Sequence, residues 1–247
     1  MVLQRDRPAI IWGFAKPADT ITTVLQKGNA AKPYHPFETT ADDHGVWRQP
    51  LPTQKATLIP HTITVTNKSN NDTETAVLHN ILFGDVYLYG GQSNMRFTMA
   101  ETTNGTQEAK LANNYPHIRL FTVGQKTSSP DEALMDFQTV LQPWTVANQE
   151  SVLSYSDEYF SSVCWFFGKE ISDALENQVP IGLISNNWGG TRVEQWRYGG
   201  DLFNAMIHPY MIGPMSLSGF AWYQGEANMA NQNTADEYSQ LFSGMIQ

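Results

Sequence analysis

The chain has 247 residues, 41% of them hydrophobic, enough to bury at least one sizeable core and too apolar for a disordered segment. Its net charge is −9, from 24 acidic against 15 basic residues, and the basic residues form no run longer than a pair, which argues against nucleic acid or an anionic membrane as partner. Cys164 is the single cysteine; inside the apolar stretch "SSVCWFFG" it reads as a small buried hydrophobe and excludes an internal disulfide.

The first residues, "MVLQRDRPAIIWG", show no charged segment followed by an apolar one, so no secretory-signal pattern is read there. No apolar run reaches the roughly 18 residues of a membrane span. Residues 1–80 alternate short β-rich runs ("AIIWGFA", "TITTVLQ", "HTITVTN", "TAVLHNI") with Pro, Gly, Asn and Asp turns, which predicts an antiparallel, β-sandwich-like domain without clustered catalytic residue types. Asn67, Asn71 and Asn104 each open an Asn-x-Ser/Thr triplet, a pattern suited to a secreted glycoprotein though frequent by chance in an Asn/Thr-rich chain.

From residue 81 the texture changes, and residues 81–247 are assigned to a second, α/β domain. "GDVYLYG" (84–90), "IRLFTV" (118–123), "IGLISNNW" (181–188) and "SGFAWYQG" (218–225) are apolar runs that end in Gly, Ser, Asn or Gln. Between them residues 159–177 predict a helix with Phe160, Val163, Phe167, Ile171, Ala174 and Leu175 on its buried face. Strands alternating with helices predict a mostly parallel sheet covered on both faces, whose ligands bind beyond the carboxyl ends of the strands. A last helix is predicted over 234–247, with Leu241 and Met245 on one side.

Those strand ends carry the candidate chemistry. "YGGQSNMRF" delivers Ser93 to a strand-to-helix turn, where outward-pointing N–H groups and the helix dipole favour developing negative charge. Ser93 or Asn94 as a mere helix cap is the competing reading, and the Gly-x-Ser-x-Gly elbow is absent. In "NNWGGTRVEQW" a Gly-Gly pair after a strand offers backbone oxyanion donors or an ordinary turn. In "WYQGEAN" Gln224 supplies an amide, Glu226 a carboxylate and Trp222 a flat wall, unless these only form a buried network. Nucleophile, glycine donors and amide donor at three strand ends together point to a hydrolase.

"GDVYLYGGQSNM", "IGLISNNWGGTRVEQW" and "LFNAMIHP…WYQGEAN" resemble the sialate O-acetylesterase family within the SGNH-type hydrolases, and "MVLQRDRPAIIWGFA" resembles that family's N-terminal β-domain. The resemblance implies an SGNH-like, flavodoxin-like α/β fold and a serine-dependent carbohydrate O-acetylesterase that needs no cofactor or metal. Its partner would be an O-acetylated sugar: sialic acid by preference, acetylated xylan as the nearest alternative, with a catalytically silent sugar-binding chain as another. It implies Ser93 as nucleophile, an oxyanion site made by Ser93 N–H, Gly190 N–H and the Gln224 side chain, and a pocket shaped by Gln92, Asn94, Trp188, Arg192, Glu194, Trp196, Trp222 and Glu226. It also implies a secreted, lysosomal or periplasmic location.

The family's C-terminal Asp-x-x-His has no counterpart here. His35, His44, His61, His79, His117 and His208 have Lys32, Ala41, Leu58, Ala76, Asn114 and Ala205 three positions earlier. His208, in "NAMIHPY", falls where the family carries a structural His-Pro. Both ends read as interior to the family's pattern, which implies a partial chain with weak turnover.

Overall fold

A computed structural model describes residues 1–28, 33–69, 72–153 and 160–246. The sequon residue Asn71 and the predicted helix start at Tyr159 lie outside the described residues. In chain order the strands are β1 (Val2–Gln4), β2 (Ile10–Phe14), β3 (Thr20–Lys27), β4 (Phe37–Thr40), β5 (Val46–Pro50), β6 (Thr57–Ser69), β7 (Asp72–Gly91), β8 (Ile118–Val123), β9 (Val140–Val146), β10 (Ile181–Asn187) and β11 (Gly219–Tyr223).

The N-terminal part is antiparallel. β4, β3, β6 and β7 lie side by side, and the separate β2–β5 pair packs over them. Alternation decides which side chains meet: Ile11 and Trp47 from the pair close on Ile21, Leu25, Ile63, Val65, Ile81 and Phe83 from the larger sheet. The expected sandwich-like layering is therefore present, yet the chain does not break at residue 80. β7 is 20 residues long and runs straight from this layer into the central sheet. β1 joins it in parallel, Val2 opposite Leu82.

The central sheet has the order β9, β8, β10, β7, β11. All its pairs are parallel except β8 with β9. Such a sheet is buried on both faces, which is why its strands read as continuous apolar runs. Tyr89, Ile118, Leu120, Ile181 and Leu183 point to one face with Cys164 and Trp165 of the helix Ser162–Ala174. Val86, Leu88 and Ile184 point to the other, where Tyr210 packs on them. Val123 extends that second face onto Ala205 and Met206 of the π-helical turn Phe203–Ile207.

The helix Ser162–Ala174 starts where Ser161 Oγ accepts the Cys164 N–H at 3.2 Å, an N-cap bond. Of the six residues expected on its buried face, Phe160, Val163, Ile171 and Leu175 pack into the core, while Phe167 and Ala174 do not. Cys164, Trp165, Gly168 and Ser172 face inward, whereas Phe167 is 44% exposed and Ala174 lies at the surface. Small residues let the helix approach the sheet: a Cβ on Gly168 would lie 2.4 Å from Leu183 Cδ1. Phe167 instead covers the sheet margin edge-on, 5.5 Å from Tyr87 and 5.6 Å from Tyr89. The last helix, Gln232–Ile246, has Leu241 and Met245 half-buried, as expected, and contributes no fully buried residue.

His61 gives this fold an acid-sensitive point. Its ring is 1% exposed and stands edge-on to Phe83 at 5.0 Å. Burial, then the charge of Lys27, pushes the imidazole below its ordinary value. Because the folded state binds the proton more weakly than the unfolded chain, the stability contribution is complete above the unfolded value near 6.5 and is lost as pH falls below it. Urea unfolding at pH 7.5 and 5.5 is expected to show a larger acid loss for the unsubstituted chain than for His61→Phe. Equal losses would show that the buried ring does not titrate on unfolding.

Candidate active site

Three strand ends converge beyond the carboxyl edge of the central sheet. Gln92 N–H donates to Tyr223 O and Trp188 N–H to Gly91 O, each at 3.0 Å, so the ends of β7, β10 and β11 are tied by main chain. Gly91 makes this closeness possible. Its φ is +141°, and a Cβ there would sit 2.1 Å from Tyr223 O.

The chain then turns into the short helix Ser93–Arg96. Its cap is Gln92, and no side chain accepts a first-turn N–H, so Ser93 is not serving as a helix cap. Ser93 opens onto a cleft of about 380 Å³ together with Arg96, Gln125, Trp188, Gly189 and Gly190. The backbone of Gly189 lies against the serine, since a Cβ added to it would be 3.6 Å from Ser93 Cβ. Gly190 has φ +75° with open space around it. Among the described residues the N–H groups of Ser93 and Gly190 donate to no protein acceptor. A serine hydroxyl that shares a cleft with two such backbone donors has the components an oxyanion site needs.

The other expected site residues are placed differently, several of them as supports. Gln92 is 3% exposed, and its Oε1 accepts the N–H groups of Gly225 (3.2 Å) and Ala227 (3.1 Å), so it braces the loop after β11. Asn94 Nδ2 donates to Glu226 Oε1, which joins the serine helix to that loop. Trp196 is buried, donates from Nε1 to Thr191 Oγ1 at 2.9 Å and meets Trp222 edge-on at 5.6 Å. Trp222 itself lines a separate apolar cavity with Leu88, Phe203 and Phe220.

Arg192 pairs with Glu194 at 3.0 Å on a half-exposed surface. Burial opposes ionisation of Glu194, but hydrogen bonding from Asn228 and the charges of Arg192 and Arg197 outweigh it and hold the carboxyl below its ordinary value. Gln224 donates from Nε2 to Thr191 O at 3.1 Å and to Asn228 Oδ1 at 2.8 Å. Both its donors are therefore engaged, and an oxyanion role requires one of them to be released. His208 donates from Nδ1 to the Leu134 carbonyl at 2.9 Å, in keeping with its structural reading. None of the described residues lining the Ser93 cleft is a histidine or an acid.

Arg96, Gln125 and Asn228 were not singled out from the sequence. Arg96 lies three residues after Ser93 on one helical turn, a spacing that puts both on one face, and Gln125 follows the end of β8. Asn228 closes the "QGEAN" motif. Among the described residues no group of three or more His, Cys, Asp or Glu is placed to hold a metal ion. None of their helices is long and apolar enough to cross a membrane.

A serine at the end of a central parallel strand, facing a glycine turn from the neighbouring strand, sits where an open α/β sheet presents its ligand-facing residues, so fold and site together define an α/β protein with a candidate site at the carboxyl edge of its sheet. The chain belongs to the family described as carbohydrate esterase, sialic acid-specific acetylesterase, whose model matches residues 83–247. It is 32% identical over 275 residues to the sialate O-acetylesterases of Pongo abelii and Homo sapiens, with 100% of this chain and 50% of each relative covered. The chain thus spans about half the length of these curated relatives. A crystal structure of a carbohydrate acetylesterase from Xanthomonas citri superposes with a TM-score of 0.82 at 29% identity, covering 99% of this chain and 53% of that one.

Proposed function

We propose that the chain is the serine-bearing part of a carbohydrate O-acetylesterase that removes O-acetyl groups from sialic acids. The observation that carries this reading is the Ser93 cleft, with the unspent N–H groups of Ser93 and Gly190 on its wall. Ser93 Oγ attacks the acetyl carbonyl, and a C–O bond forms as the carbonyl opens to an oxyanion held by those two donors. The serine proton goes to solvent, the C–O bond to the sugar breaks and the sugar oxygen takes up a proton from solvent; water then bonds to the acyl carbon as the Ser93 Oγ–C bond breaks, releasing acetate and a reprotonated serine. Gln224 contributes an amide donor once its bond to Thr191 or Asn228 is exchanged. Trp188 forms a wall of the cleft, and Arg192, Glu194 and Glu226 support its rim through their hydrogen bonds.

Serine is a weak nucleophile without a base. The described residues that line the cleft do not supply one, so slow turnover by this chain is part of the proposal. A secreted, lysosomal or periplasmic location goes with an acetylated-sugar substrate, and the sequon residue Asn104 is exposed in keeping with it.

Acetate release from O-acetylated sialic acid and from acetylated xylan, measured side by side on the same chain, tests the substrate class. Release from the sialic acid alone is expected. Faster release from xylan would move the assignment to a plant-polysaccharide deacetylase, and binding of either sugar without any release would favour the silent sugar-binding alternative.

A further inference from the structure

Asn228 is fully buried, and every hydrogen bond of its side chain ends on a residue of the two glycine-containing motifs. Oδ1 accepts from Val193 N–H at 3.0 Å and from Gln224 Nε2 at 2.8 Å, while Nδ2 donates to Glu194 Oε2 at 2.8 Å. Its backbone N–H closes the turn onto Gly225 O at 2.9 Å. An amide does this from two separate atoms, its oxygen accepting twice while its nitrogen donates toward a different neighbour. The second Gln224 donor goes to Thr191 O, next to Gly190. Turning the Gln224 amide over would set its oxygen against two acceptors, so Asn228 and Thr191 together dictate which way that amide faces.

We propose that Asn228 is a positioning residue for the oxyanion site, holding Gln224 and the Gly190–Val193 segment in register with Ser93. It does not touch the reacting atoms. The inference rests on the esterase reading of Ser93 and extends it to a residue in the second motif whose effect is transmitted through Gln224. Asn228→Asp keeps the acceptor but sets two carboxylates face to face where Nδ2 met Glu194. Adding Glu194→Gln restores a donor there, reverses the direction of one hydrogen bond and keeps the total charge.

The test follows covalent labelling of Ser93 by diethyl 4-nitrophenyl phosphate on the 247-residue chain. The Ser93 Oγ–P bond forms, the P–O bond to the aryl group breaks, 4-nitrophenolate leaves, and the serine proton goes to buffer. With melting temperatures measured alongside, Asn228→Asp is expected to label about tenfold or more slowly, and the double variant to recover to within about threefold of the unsubstituted chain. An Asn228→Asp chain that melts lower but labels at the full rate would make the residue merely structural and overturn the proposal. Where that variant does not fold, the double variant decides, and a loss beyond about tenfold overturns it. If the unsubstituted chain labels no faster than Ser93→Ala, the esterase reading fails, and the Gln224 side-chain amide resonances decide the positioning role. Displacement in Asn228→Asp with return in the double variant supports it; resonances that stay displaced in the double variant overturn it.

Discussion

Ser93→Ala is expected to lower 4-nitrophenyl acetate hydrolysis by about 10²-fold or more and to abolish covalent acetylation of the chain. The size follows from what the substitution leaves in place. Alanine keeps the backbone N–H of residue 93 and leaves that of Gly190 untouched, and such donors alone retain substantial catalysis. No histidine is among the described residues lining the cleft, so the loss stays well short of the roughly 10⁶-fold seen when a complete triad is dismantled. Stability should change little, because the Ser93 side chain caps no helix and is only partly buried. Hydrolysis and labelling that survive the substitution would remove Ser93 from the reaction.

Gly91→Ala is expected to cost about 3 kcal/mol or more of folding stability, read from urea unfolding. The added Cβ meets the Tyr223 carbonyl at 2.1 Å, which is backbone and cannot swing away, and φ of +141° is strained for any side chain. Relief would require β11 to move off β7. That movement breaks the Gln92 N–H to Tyr223 O bond and tilts the turn that carries Ser93, so labelling of the serine should fall as well. Gly190→Ala provides the comparison. Its φ of +75° is strained too, but nothing lies within 4 Å, so only the backbone term applies, about 1 kcal/mol. Equal costs at the two positions would show that the clash with Tyr223 relaxes freely.

The strand-end motifs were legible because a parallel sheet places its ligand-facing residues where apolar runs give way to Gly, Ser and Asn, and Ser93, Trp188 and Gly190 do share one cleft. Motif membership was a poorer guide to side-chain direction. Trp196 and Trp222 stand in the same motifs yet pack into apolar regions, and Gln92 spends its carbonyl on the following loop. The helix face is legible at Phe160, Val163, Ile171 and Leu175 but fails at Phe167 and Ala174, because periodicity weights apolar residues alone. Close packing against the sheet selected Gly168 and Ser172, and Phe167 was left at the margin. β9 escaped notice since Pro143 interrupts its pattern and its pairing with β8 is irregular. Asn228 was overlooked for a different reason: a buried amide that joins two motifs leaves no periodic signal, and only the count of its hydrogen bonds shows its part.

The 20-residue strand β7 belongs at once to the N-terminal layer and to the sheet that carries Ser93. Its residues pair with β6 through Phe83 and with β10 from Asp85 onward, with hardly a residue between the two ladders. Neither layer can melt without stripping partners from the other, so the two are expected to unfold together in one transition, read by calorimetry. Slow-exchanging amides should therefore run along β7 without a gap near residue 84, and a destabilising change in the β-rich layer should be felt as earlier melting of the serine turn.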